Sequence, residues 1–185
     1  MTGREPQSST DRPSPLNAMS VDVEDYFQVS AFEDHVDRAD WDRLHCRIPD
    51  NLARILDLFE QQGVQATFFT LGWVAERFPG LIRDVVERGH EVASHGYGHH
   101  RVTQLDRAAF RSDVARTKAL LEDTTGQPVK GYRAPSYSIG ETNRWAFDVL
   151  EEEGHLYSSS VYPIHHDLYG MPDAPRHPFR PTAAG

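Results

Sequence analysis

One cysteine, Cys46, is all the chain has. That excludes an internal disulfide and any zinc site built from several thiolates. Basic charge is also short: 19 Lys and Arg against 28 Asp and Glu leave a formal net charge of −9. A polyanion such as nucleic acid is therefore not an expected partner. No apolar run approaches the roughly 18 residues that a membrane span needs. The stretch Met1 to Pro15 lacks the apolar segment of a secretory signal, and the expected location is cytoplasmic. What the chain does have is globular bulk. Hydrophobic residues make up 38% of 185 positions, enough for one sizeable core and short for two.

Residues 1–17, with their Ser, Thr, Pro and Arg, read as a flexible leader. From Ala18 the pattern becomes regular. Ala18 to Val23 reads as a short buried strand ending in acidic residues. Residues 30–45 carry no clean period and read as a long loop or short helical insert. Leu52, Ile55, Leu56 and Phe59 recur at i, i+3, i+4 and i+7, which predicts a helix from Pro49 to Gln62 that stops at Gly63. The β-branched and aromatic run Val64 to Leu71 predicts a strand.

The alternation continues. Leu81, Val85 and Val86 mark a helix ending at Gly89, and a short strand leads from Glu91 into a histidine-rich segment. A helix between Asp106 and Thr124 precedes a strand from Val129 to Arg133. A helix from about Asn143 to Glu153 precedes the last strand, Leu156 to Val161. Strands alternating with helices imply an α/β fold with a parallel sheet and helical crossovers. Five such units fall short of a closed eight-fold barrel, which takes about 250 residues. The expectation is one domain over residues 18–171, with 172–185 an irregular, Pro- and Ala-rich tail read as the truncated remainder of that domain.

In parallel α/β folds, functional groups gather at the carboxyl ends of the strands. Three predicted strands end in reactive groups. The first runs into Asp22-Val23-Glu24-Asp25, the third into His95-Gly96-Tyr97-Gly98-His99-His100, the fourth into Arg133-Ala134-Pro135-Ser136-Tyr137. His95 and His99, four residues apart, are close enough to share one ion. A carboxylate with two imidazoles is a three-ligand set that leaves positions for water and substrate. A second carboxylate can serve as base and an arginine can orient it. Taken singly, each group has a structural explanation: acidic clusters solvate strand ends, His100 reads as a solvated neighbour, and Trp73 and Tyr137 read as packing residues. Their joint occurrence at three strand ends favours a site.

These pieces resemble the polysaccharide deacetylase family, carbohydrate esterase family 4, over roughly residues 18–170. The resemblance implies a distorted, incompletely closed (β/α) barrel and metal-assisted hydrolysis of N-acetyl groups on a saccharide. It makes His95 and His99 metal ligands and Asp22 the catalytic base, with Arg133 holding Asp22 ionised. Strand alternation puts Asp22 and Glu24 on one face, whereas a bend would bring in Asp25, so the third ligand is Glu24 or Asp25. Pro135 matches the family's arginine-proline motif, and a backbone N–H at Ser136 or Tyr137 would stabilise the oxyanion.

Two departures stand out. Gly96 sits where Ser or Thr is usual, and no Leu-x-His motif supplies the family's general acid. His165 and His166 are the stand-ins, with His166 the named candidate. Zn²⁺ suits the donor set, as do Co²⁺ and Ni²⁺. The wording Val-Asp-Val-Glu-Asp-Tyr-Phe also resembles a subgroup encoded with bacterial exopolysaccharide and protein-sorting systems. Alternatives are a relic that binds metal and saccharide without turnover, and an amide hydrolase acting on ureides. The oligomeric state is not legible.

Overall fold

The computed structural model describes residues 17–167 and 169–181. The predicted leader lies almost wholly outside the described residues, as does the end of the tail. Five parallel strands form one sheet: β1 (Met19–Val23), β2 (Ala66–Thr70), β3 (Glu91–Ser94), β4 (Gly131–Tyr132) and β5 (Tyr157–Ser158). Their spatial order is their chain order. The sheet therefore winds in one direction, as the wall of a barrel does, and no strand pairing closes it among the described residues. This is the incompletely closed (β/α) architecture that the alternation and length implied.

Helices make the crossovers. α1 (Ile48–Gln62) follows β1, α2 (Gly72–Arg77) and α3 (Pro79–Glu87) follow β2, α4 (Arg107–Thr125) follows β3, and α5 (Trp145–Glu152) follows β4. Local chemistry sets their ends. Pro49 occupies the first turn of α1, and Gly63 ends that helix in the left-handed conformation at φ 61°. Asp106 caps α4 by accepting from Ala109 N–H, and Gly126 closes it at φ 67°. β4 and β5 are only two residues long, shorter than the runs Val129–Arg133 and Leu156–Val161 predict. Residues 26–43 form three short 3₁₀ turns.

Side chains alternate across the sheet. Val23, Phe68 and Val92 face outward and pack with Leu52 and Leu56 of α1 and Ile82 and Val85 of α3 in the main core. A second core joins Phe110 and Val114 of α4 to Tyr132, Ala146 and Val149. The aromatic rings of Phe27, Trp41 and Trp73 contact one another with centroids 5.7–6.0 Å apart, so the 3₁₀ segment is riveted to α2. The other face of the sheet carries the polar groups.

Leu56 is 0% exposed in the main core, whereas Leu58 on the same helix is 52% exposed. Leu56→Ala should cost about 2–5 kcal/mol of unfolding free energy through lost burial and the cavity left behind. Leu58→Ala should stay within about 0.5 kcal/mol. Urea melts of the two variants check both.

Candidate functional site

Register places the reactive groups in one rank. Val23 pairs with Thr70, Thr70 with Ser94, Ser94 with Tyr132, and Tyr132 with Ser158. The next residues along, Glu24, His95, Arg133 and Ser159, therefore leave the sheet at one level. Arg133 is the hub. Its Nη1 donates to Asp22 Oδ1 at 2.5 Å, and its Nη2 donates to Ser20 Oγ at 2.8 Å and Ser159 Oγ at 3.0 Å. The guanidinium lies 4.0 Å from the centroid of the Phe69 ring, an attraction between cation and ring face. Its backbone C=O sits 2.8 Å from His95 Nδ1.

That last contact sets a tautomer. A carbonyl can only accept, so Nδ1 of His95 carries the proton and Nε2 presents its lone pair. Nε2 stands 3.6 Å from Glu24 Oε2, and His99 Nε2 stands 2.9 Å from the same oxygen. One ligand atom from each of Glu24, His95 and His99 lies within 4.8 Å of the others. Glu24 Oε2 is buried and receives no hydrogen bond. An orphaned carboxylate oxygen between two imidazoles is costly unless a cation satisfies it, and the donor set is the one Zn²⁺ takes. These residues fit a divalent transition-metal ion.

Electrostatics agree with that geometry. Burial alone would raise the Glu24 pKa, but the imidazoles of His95 and His99 outweigh it and hold the carboxyl well below the usual range. Burial alone would lower the His95 pKa, and Glu24 and Asp22 reverse it upward. His99 adopts φ 52°, a left-handed conformation that costs a non-glycine residue about 1–2 kcal/mol. Such strain persists only where the surroundings hold it.

The surroundings are visible in the backbone accounting of the 95–99 loop. His95 N–H donates to Thr70 C=O, Gly96 C=O accepts from Gly72 N–H, and Tyr97 C=O accepts from Trp73 N–H, at 2.9–3.0 Å. The last two donors belong to the first turn of α2 and have no partner inside that helix. Arg38 donates to Gly98 C=O at 3.0 Å and to His99 C=O at 3.3 Å. Tyr97 N–H donates to both carboxylate oxygens of Asp113, each at 3.2 Å. The Tyr97 ring is covered by Arg116 at 3.5 Å, and its hydroxyl donates to Glu76 at 2.6 Å.

Sequence reasoning named none of α2, Arg38 and Asp113. Asp113 had a signal: it lies three residues after Phe110 and four before Thr117, both buried. A carboxylate there sits on the apolar stripe of its helix. His100 lies beside the loop and outside the three-ligand cluster.

Asp25 does not join the cluster, which corrects the alternative in which it is a ligand. Its Oδ1 accepts from Tyr26 N–H at 2.7 Å and from Arg47 Nε and Nη2 at 3.1 and 3.0 Å. Its Oδ2 accepts from Arg47 N–H at 2.5 Å. The strand ends at Val23, so Glu24 keeps its inward direction while Asp25 turns outward to cap a 3₁₀ turn. The Pro135 turn also divides its two donors. Ser136 and Tyr137 both adopt positive φ, 53° and 49°. Tyr137 N–H is spent on Ala134 C=O at 3.0 Å, which leaves Ser136 N–H as the backbone donor of the pair. Ser136 Oγ meets Ser30 Oγ at 2.6 Å. Tyr137 stacks on Tyr162, both contact Tyr169, and His166 stacks on Tyr169 at 4.0 Å. His165 is exposed outside this ring cluster.

A family model described as polysaccharide deacetylase matches residues 32–155. The match covers well over half of the chain, and the chain belongs to that family. A peptidoglycan-N-acetylglucosamine deacetylase of Bacillus cereus is 33% identical over 94 residues, covering 50% of this chain and 34% of that protein. A crystal structure from Mycobacterium smegmatis, provisionally assigned as a polysaccharide deacetylase, superposes with a TM-score of 0.65 at 31% identity. It covers 78% of this chain and 50% of the other. A pseudoenzyme of carbohydrate esterase family 4 from Bacillus anthracis shares the fold, with a TM-score of 0.55 at 24% identity over 59% of this chain and 38% of its own. The chain thus spans about a third of that curated relative and half or less of these two structures.

The two acidic neighbours should separate experimentally. Burial alone would raise the Asp25 pKa, but the bonds from Arg47 and Tyr26 hold it below the usual value. A folded value below the unfolded one stabilises at neutral pH. That stability fades as pH falls from about 4 through the folded value. Asp25→Asn should therefore flatten the acid limb of the stability curve and leave Zn²⁺ affinity intact. Glu24→Gln should lower Zn²⁺ affinity in calorimetric titration.

Proposed function

We propose that this chain removes N-acetyl groups from amino sugars of a polysaccharide or its precursor by metal-assisted amide hydrolysis. The observation that carries the reading is the juxtaposition at the carboxyl ends of the strands. The buried Glu24, His95 and His99 donor cluster stands beside an Asp22 carboxylate held at 2.5 Å by Arg133. Glu24, His95 and His99 would hold the ion, with Zn²⁺ favoured and Co²⁺ or Ni²⁺ also suited to the donors. When bound, a divalent ion supplies a Lewis acid that acidifies water and polarises the acetamido oxygen.

The chain's own groups do the rest. Asp22 takes a proton from the attacking water, and Arg133 keeps it pointed inward through a charge-assisted bond. Ser136 N–H donates to the oxygen on which charge develops. Protonation of the departing amine falls to His166, the imidazole that the ring cluster links to Tyr137. The segment Val21 to Phe27 supports the finer reading that the saccharide is a bacterial exopolysaccharide or its precursor.

Acetate release from an N-acetylglucosamine oligomer with added Zn²⁺ tests the reading. Asp22→Asn should lower the rate by about 100- to 10,000-fold. Zn²⁺ binding with no acetate released would instead favour the relic, and turnover of ureides alone would favour the other hydrolase. His166→Ala should lower kcat by about 100-fold or more, the usual scale for a lost general acid. A rate left unchanged would take that role from His166.

A further inference from the structure

We propose that Asp113 is the positioning residue of the 95–99 loop, filling with its carboxylate the space a side chain at position 96 would need. The inference rests on the metal-site reading above and concerns what holds the ligands rather than what they hold. Tyr97 is the middle residue between His95 and His99. Its N–H divides equally between the two Asp113 oxygens, 3.2 Å to each. That contact ties the loop to the middle of α4, a 19-residue helix capped at both ends. The Asp113 contact resists rotation of the 96–97 peptide, within the loop that connects the two imidazoles.

Position 96 is coupled to the same carboxylate. Gly96 has φ 73°, in the left-handed region that favours glycine, and a Cβ there would stand 2.9 Å from Asp113 Oδ2. Glycine and aspartate are therefore complementary: one leaves the volume, the other occupies it and takes the N–H. The placement of Asp113 on α4 argues the same way. Phe110, Val114 and Leu121 on that helix are fully buried and apolar. A carboxylate beside them is costly to desolvate without a partner, and the loop N–H is the partner present.

The test uses Zn²⁺ as probe, with affinity read by competition against a chromophoric chelator and amide exchange at Tyr97 read by NMR. Asp113→Ala should weaken Zn²⁺ binding about tenfold or more, the scale seen when the support of a ligand is removed, and should speed Tyr97 exchange. Asp113→Asn keeps one oxygen toward the N–H and should recover most of the loss. Gly96→Ser should be costly in the native chain and at least about threefold less costly in an Asp113→Ala background, because the crowded oxygen is gone. A folded Asp113→Ala variant with Zn²⁺ affinity and Tyr97 exchange unchanged would overturn the proposal, as would strictly additive costs. If the native chain binds no Zn²⁺, the metal reading fails. Tyr97 exchange and the same double-mutant cycle in unfolding free energy then still decide the role of Asp113.

Discussion

Arg133 is the constraint on which the site depends. Its side chain reaches β1 through Ser20 and Asp22, lies on the Phe69 ring of β2, and meets Ser159 just past β5. Its backbone N–H donates to Ser94 C=O at the end of β3, and its C=O holds the His95 ring. One residue therefore sets the protonation pattern of a ligand and the orientation of the base while bridging strands that never pair. A buried guanidinium is tolerable only with its partners in place. Lysine offers no planar fork and could not make the three contacts together. Among the described residues no ring of strand pairings holds the sheet's curvature, and the Arg133 contacts tie β4 to β1 across its inner face.

Much of this was legible because parallel strands end in register. Reading Asp22, His95 and Arg133 as strand-end residues was enough to bring them together, whatever the lengths of the strands. The lengths themselves were less legible. Val129 to Arg133 looks like a five-residue strand, yet only Gly131 and Tyr132 pair, since the segment then turns into the Pro135 corner. α2 escaped notice because six residues directly after a strand carry too few turns to show a period. Its role is supplied from outside, by the Gly96 and Tyr97 carbonyls that accept from its first N–H groups.

The choice between Glu24 and Asp25 shows where pattern stops. Alternation favoured Glu24, and alternation holds because the backbone stays extended through Val23. What removes Asp25 is a nonlocal partner, Arg47, 22 residues along the chain. Asp113 is similar: its helical position announces a misplaced carboxylate, but only folding reveals the Tyr97 N–H it serves. Ligand residues announce themselves by type and spacing. Residues that hold ligands in place do so by contact, and contact is written in three dimensions.

The strand order carries a consequence for how the chain is made. Because each strand docks beside its predecessor, a growing polypeptide can add one layer after another to an existing edge as it leaves the ribosome. The functional centre does not share that convenience. Asp22 precedes Arg133 and meets it only after 111 further residues have been added. Glu24 gains its imidazole neighbours with His95 and His99, while Asp22 faces an unfinished cleft without its cationic partner for the whole interval. Assembly of the sheet and completion of its chemistry are thus separate events in the life of the molecule, and the second waits for the fourth strand to bring Arg133 and for the fifth to bring Ser159.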